Sequence, residues 1–145
     1  MNAVRGYRGF TLVEIMIVVA IIVLLASLAI PNLLRARLNA NEASAIESMR
    51  VIATAAVTYR SSNPSFPSNL TDLANTSPAY IDSFLGTGLK QGYSFTVNGN
   101  SSTFSATGTP VTQNVTGVRS FFVDASGTVR AAANASVDAS SPALE

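Results

Sequence analysis

Residues 9–31 read GFTLVEIMIVVAIIVLLASLAIP: an apolar run from Phe10 to Ile30 with one charge inside it, Glu14, and a proline, Pro31, behind it. On insertion scales a carboxylate in a membrane helix costs about 2.5–3.5 kcal/mol, so Glu14 needs a partner. Phe10 to Ile30 is 21 residues, about 31 Å as an α-helix, which matches a hydrocarbon core of about 30 Å. Taken by itself the run is a plain single-span anchor. Its leader alters that reading. Met1 to Gly9 is short, basic through Arg5 and Arg8, and has no apolar core of its own. A secretory signal carries its apolar region ahead of the cleavage site and loses both. Here the glycine comes first, so cleavage after Gly9 would leave the run on the mature chain.

Pro31 cannot donate to the carbonyl of Ser27. It either ends the helix at the interface or is carried through as a kink. The residues beyond it favour continuation. Leu38, Ala45, Met49, Ile52, Ala56 and Tyr59 fall on one helical face. Asn39, Asn41, Glu42, Ser48 and Arg50 fall mostly off that face, and Glu47 with Arg50 makes a modest (i, i+3) pair. The spacing therefore predicts one helix from about Phe10 to about Arg60, apolar all round in its first half (10–30) and amphipathic in its second (31–60).

Ser61-Ser62-Asn63-Pro64 stops that helix. A connecting segment over about 61–91 follows. It should hold a short helix at Ser68–Leu73 and a single turn at Pro78–Asp82. From Gly92 the period changes to two. Tyr93, Phe95 and Val97 alternate with polar residues, an Asn98-Gly99-Asn100 turn leads to Thr103–Ala106, and Val118–Val123 with Thr128–Arg130 reads as a second hairpin. Antiparallel strands are thus expected over about 92–131, and residues 132–145 read as a small, polar, poorly ordered tail. The fold class is α+β: a long N-terminal helix whose second half lies on a small antiparallel sheet, within a head of residues 61–145. Neither piece buries its apolar face alone.

Composition narrows the chemistry. In 145 residues there is no cysteine, histidine or tryptophan. A zinc site, a Ser-His-Asp triad and a cysteine nucleophile are excluded by inventory, no catalytic constellation is visible, and no cofactor is implied. Nine basic side chains face eight acidic ones, and Arg5 and Arg8 precede Gly9. Beyond the leader the charges nearly cancel, which argues against a nucleic-acid partner. Arg35 and Arg37 read as interface residues past the run. They nearly balance Arg5 and Arg8, so charge sets no orientation. The aromatic residues Tyr93, Phe95, Phe104, Phe121 and Phe122 read as core. Asn69, Asn75, Asn100, Asn114 and Asn134 match the glycosylation pattern, which chance alone produces in a chain so rich in Asn, Ser and Thr.

The stretch Gly9-Phe10-Thr11-Leu12-Val13-Glu14, its basic leader, the apolar helix and Pro31 resemble the type IV pilin and pseudopilin family. The resemblance covers Arg5 to about Arg60. It implies that a prepilin peptidase cuts between Gly9 and Phe10 and that the new Phe10 amine is methylated. It also implies that Glu14 meets the Phe10 amine of a neighbouring subunit during assembly, with Pro31 in the same helix. The implied partners are further copies of the chain in a helical filament, the inner membrane before assembly, the peptidase and an assembly platform. The chain departs from the family where many members close a C-terminal loop with a disulfide or a calcium site, since it has no cysteine and no dense carboxylate cluster. A type IV pilus subunit, a type II secretion pseudopilin in a periplasmic pseudopilus, and a DNA-binding competence subunit are the competing readings. The neutral head counts against the last, and the Ser/Thr/Asn-rich head favours the pilus.

Overall fold

A computed structural model describes residues 9–133 and 136–144; Arg5, Arg8 and Asn134 lie outside the described residues. Helix α1 runs Leu12–Ser62 with Pro31 inside it. By its contacts the chain divides after Ala36 into an N-terminal unit and a unit of residues 37–145.

In the N-terminal unit α1 shows apolar side chains all round and is exposed except at Ala26, which is half-buried. Its polar side chains turn back on the helix. The Ser27 hydroxyl donates to the Leu24 carbonyl (2.8 Å), and Asn32 Nδ2 donates to the Leu28 carbonyl (3.2 Å).

In the second unit, α1 is followed by α2 (Leu70–Ala74), α3 (Ser83–Gly86) and strands β1 (Leu89–Lys90), β2 (Tyr93–Gly99), β3 (Phe104–Pro110), β4 (Ser120–Asp124) and β5 (Arg130–Ala132). The strands form an antiparallel meander in chain order. Tyr93, Phe95 and Val97 of β2, Phe104 and Ala106 of β3, and Phe121 and Val123 of β4 are buried together with Ala45, Met49, Ile52 and Ala56 of α1. The helix positions repeat every three or four residues and the strand positions mostly every two, so one helix stripe covers one sheet face. Small residues allow close approach: a Cβ on Gly108 would stand 3.0 Å from the Phe95 ring and 3.2 Å from Met49 Sδ.

The short helices form where side chains cap them. Asn69 Oδ1 accepts the Asp72 N–H while Asp72 Oδ2 accepts the Asn69 N–H, a reciprocal box that starts α2. The helical turn expected at Pro78–Asp82 lies instead at Ser83–Gly86. Asp82 is its cap rather than its end, with Oδ1 accepting the Leu85 N–H at 2.9 Å. The expected stop near Arg60 comes two residues later, at Ser62. Pairing begins ahead of Gly92, because Leu89 and Lys90 pair with Ser94 and Tyr93. The tail also differs from expectation. The Ala131 N–H donates to the Pro142 carbonyl, the Leu144 N–H to the Val129 carbonyl, and Leu144 packs on the core. One apolar residue in a polar tail supplies the anchor.

Candidate functional site

The start of α1 is organised by Thr11. Its N–H and its hydroxyl both donate to Glu14 Oε2 at 2.8 Å, and the Glu14 N–H donates back to Thr11 Oγ1 at 3.2 Å. This is a capping box built from a Thr-x-x-Glu spacing, which satisfies two otherwise unpaired donors of the first turn. The Thr-x-x-Glu spacing at residues 11 and 14 thus gives Glu14 a partner within its own chain. Among the described residues, both hydrogen bonds accepted by this carboxylate fall on Oε2. Gly9 and Phe10 precede the helix and are exposed. The structure thus places Gly9, Phe10 and Glu14 within one short stretch. Pro31 lies farther along α1, outside this cluster.

A second carboxylate on α1 behaves differently. Glu42 is buried, and its acceptor atoms are filled from residues 118 and 119. Oε1 takes the Val118 N–H (2.9 Å) and the Arg119 N–H (3.1 Å), while Oε2 takes Arg119 Nε at 2.8 Å. Burial pushes the Glu42 carboxyl up. The Val118 N–H, the Arg119 guanidinium and the Arg119 N–H outweigh it and hold the group below the usual carboxylate range. Beside it, Asn41 Nδ2 donates to the Thr116 carbonyl at 2.9 Å, and the Tyr93 hydroxyl donates to the Arg119 carbonyl at 2.9 Å. Burial raises the Tyr93 phenol well above its ordinary value, and the Glu42 charge adds to this. The expectation that Asn41, Glu42 and Ser48 lie mostly off the buried face fails for all three. Glu42 and Ser48 are buried and Asn41 is half-buried, because a loop some 75 residues later supplies donors to Glu42 and an acceptor to Asn41, while the Ser44 carbonyl accepts the Ser48 hydroxyl. The Glu47–Arg50 pair forms as expected at 4.0 Å, well exposed.

Among the described residues, α1 is the one helix long and apolar enough to cross a membrane. The prokaryotic N-terminal methylation motif matches residues 4–30. The chain is 42% identical over 65 residues to the type IV wide pilus major component of Thermus thermophilus, covering 45% of this chain and 50% of that protein. It is 39% identical over 67 residues to the type II secretion system core protein G of Escherichia coli, covering 46% of each.

Its N-terminal segment is similar to those of pilins and pseudopilins.

A third match is 46% identity over 48 residues to the type IV major pilin protein of Myxococcus xanthus, covering 33% of this chain and 22% of that protein. This pilin-like chain spans about half the length of the first two relatives. No solved structure matches it significantly. The α+β fold, with a long apolar helix and a small antiparallel sheet, is pilin-like as well.

Proposed function

We propose that this chain is a structural subunit of a type IV pilus, made as an inner-membrane precursor and exported into an extracellular filament. A prepilin peptidase cuts between Gly9 and Phe10, and the freed Phe10 amine is methylated. In the membrane Glu14 is held by Thr11. On assembly the carboxylate offers Oε1 to the Phe10 amine of the neighbouring copy, so a charge that is costly in lipid becomes paired in a helix bundle. The apolar side chains from Leu12 to Leu34 then pack on other copies. Leaving lipid without such packing would expose each Leu, Ile or Val to water at about 1.5–3 kcal/mol, so extraction and packing must go together. The contact repeats head to tail without closing, which gives an open fibre built on an assembly platform. Pro31 lies where such a helix loses a backbone donor and can yield locally.

The observation that carries this reading is an exposed apolar helix that opens on the methylation motif with an internally capped carboxylate. The relatives are named as pilus and secretion components, which supports a structural role, and the pseudopilin of a type II secretion system is the second reading. Immunogold imaging of material sheared from the cell surface separates the two. Long filaments decorated for this chain support the pilus. Signal confined to the periplasm, with loss of protein export on deletion, supports the pseudopilus.

A further inference from the structure

Within residues 37–145, α1 runs across the sheet in a fixed direction. Asn41 and Glu42 meet the loop of residues 111–119 at one end, and Arg60 Nη2 reaches the Ser101 carbonyl at the other. The two ends differ in kind. The Ser101 end carries the Asn100–Ser102 turn and the Ala125–Gly127 loop, both small or polar. The Glu42 end carries Val111, Val115 and Val118, all exposed, with Val115 at 68%, and Leu89 at 59% one residue short of the β1–β2 turn.

The valines are not a loose loop. Residues 111–119 are fixed from beneath by Glu42 and Asn41, by the Val111 N–H on the Gly92 carbonyl, and by Gly117 against the Tyr93 ring. Holding the backbone this way leaves the valine side chains turned outward. No charge lies between Pro110 and Arg119. The charges around this end are Arg37, Lys90, Arg119, Asp82 and Glu42. Lys90 pairs with Asp82 at 3.0 Å, and Arg119, 42% exposed at its side chain, pairs with Glu42, only 9% exposed. The cationic partner of the Glu42 pair is therefore the one offered outward, and Arg37, five residues before Glu42 on α1, is exposed as well. In the sequence only six residues separate Ile30, the end of the apolar run, from Arg37.

Apolar tips set among basic side chains, tethered to a membrane segment, match the interface of an anionic bilayer. We propose that in the unassembled chain the valine loop rests in the lipid interface, with Val111, Val115 and Val118 below the headgroups and Arg37 and Arg119 at their phosphates. This rests on the reading of Phe10–Ile30 as a membrane span. Assembly then strips the loop from lipid together with the apolar helix.

The cysteine-free chain permits a direct test. Val115→Cys and Ser101→Cys are each labelled with an environment-sensitive fluorophore. Each full chain is reconstituted at low protein density into vesicles of phosphatidylglycerol and phosphatidylethanolamine. The expected result is that lipids brominated high on the acyl chain quench the Val115 label but not the Ser101 label, while aqueous iodide quenches only the latter. Equal iodide quenching of both labels overturns the proposal. So does a Val115 label shielded from iodide yet untouched by brominated lipid, which would report contact with another copy. Carbonate extraction is run in parallel: release of the chain from the vesicles would show that the span reading itself had failed.

Discussion

Glu14 and Glu42 sit on the same helix and both accept hydrogen bonds, yet the two regions that hold them use opposite logic. Glu14 is held by a residue three positions away. Glu42 is held by donors 76 and 77 positions away. A local box can be opened without disturbing any fold, so its carboxylate is free to be exchanged. A long-range clasp cannot be opened without loosening the sheet it ties down. The same contrast runs through the apolar residues. Before Ala36 they remain exposed, and after Arg37 they close a core with Tyr93, Phe104 and Phe121 at its centre. One region leaves its apolar side chains uncovered, and the other covers most of its own.

Four substitutions probe that contrast, beginning with the largest effect. Glu14→Val should abolish assembly, because the neighbour's amine is left unpaired in an apolar bundle. Filament yield should fall on the order of 100-fold, while cleavage and the unfolding midpoint of residues 37–145 stay unchanged. Retained filaments would break the exchange account.

Glu42→Ala should do the reverse. It orphans two N–H groups and the Arg119 guanidinium, and should cost about 2–4 kcal/mol in urea unfolding of the detergent-solubilised chain. Its pH signature follows from the lowered carboxyl. A depressed folded-state value stabilises the fold above the unfolded value of about 4.3, and that contribution is lost as pH falls through the folded value. Wild-type stability should therefore drop more steeply below about pH 4 than that of Glu42→Gln.

Gly117→Ala sharpens the same point. The new Cβ would run into the Tyr93 hydroxyl, costing about 1–3 kcal/mol by the same assay. Glu47→Ala, in the exposed pair with Arg50, should change stability by no more than about 0.5 kcal/mol. A larger loss would show that the outer face of α1 carries more than solvent-exposed charge.

The features legible in the sequence are those written in neighbouring residues. Phe10 to Ile30 declares a membrane-length helix, the Leu38 to Tyr59 spacing declares its buried stripe, and Tyr93-x-Phe95-x-Val97 declares a strand. The motif at Gly9 to Glu14 points to the candidate site in the same way. Thr11 was equally legible, since a threonine three residues before a glutamate is a cap signal. The burial of Glu42 was not. Its partners come from residues 118 and 119, and nothing local marks an acidic residue beside an apolar stripe as buried. The shift of the α3 turn has the same origin in reverse: Asp82 was read as the end of one turn when its side chain starts the next. Leu144 shows how a single apolar residue can dock a segment whose composition reads as loose.

The account rests on the claim that the N-terminal region is released to other copies by a cut that frees the Phe10 amine. Intact-mass and N-terminal peptide spectrometry of the chain recovered from the sheared filament fraction tests this most directly. The predicted result is a chain that begins at Phe10 and carries one methyl group on that amine. A filament-borne chain that still begins at Met1, or that begins at Phe10 without the methyl group, would contradict it.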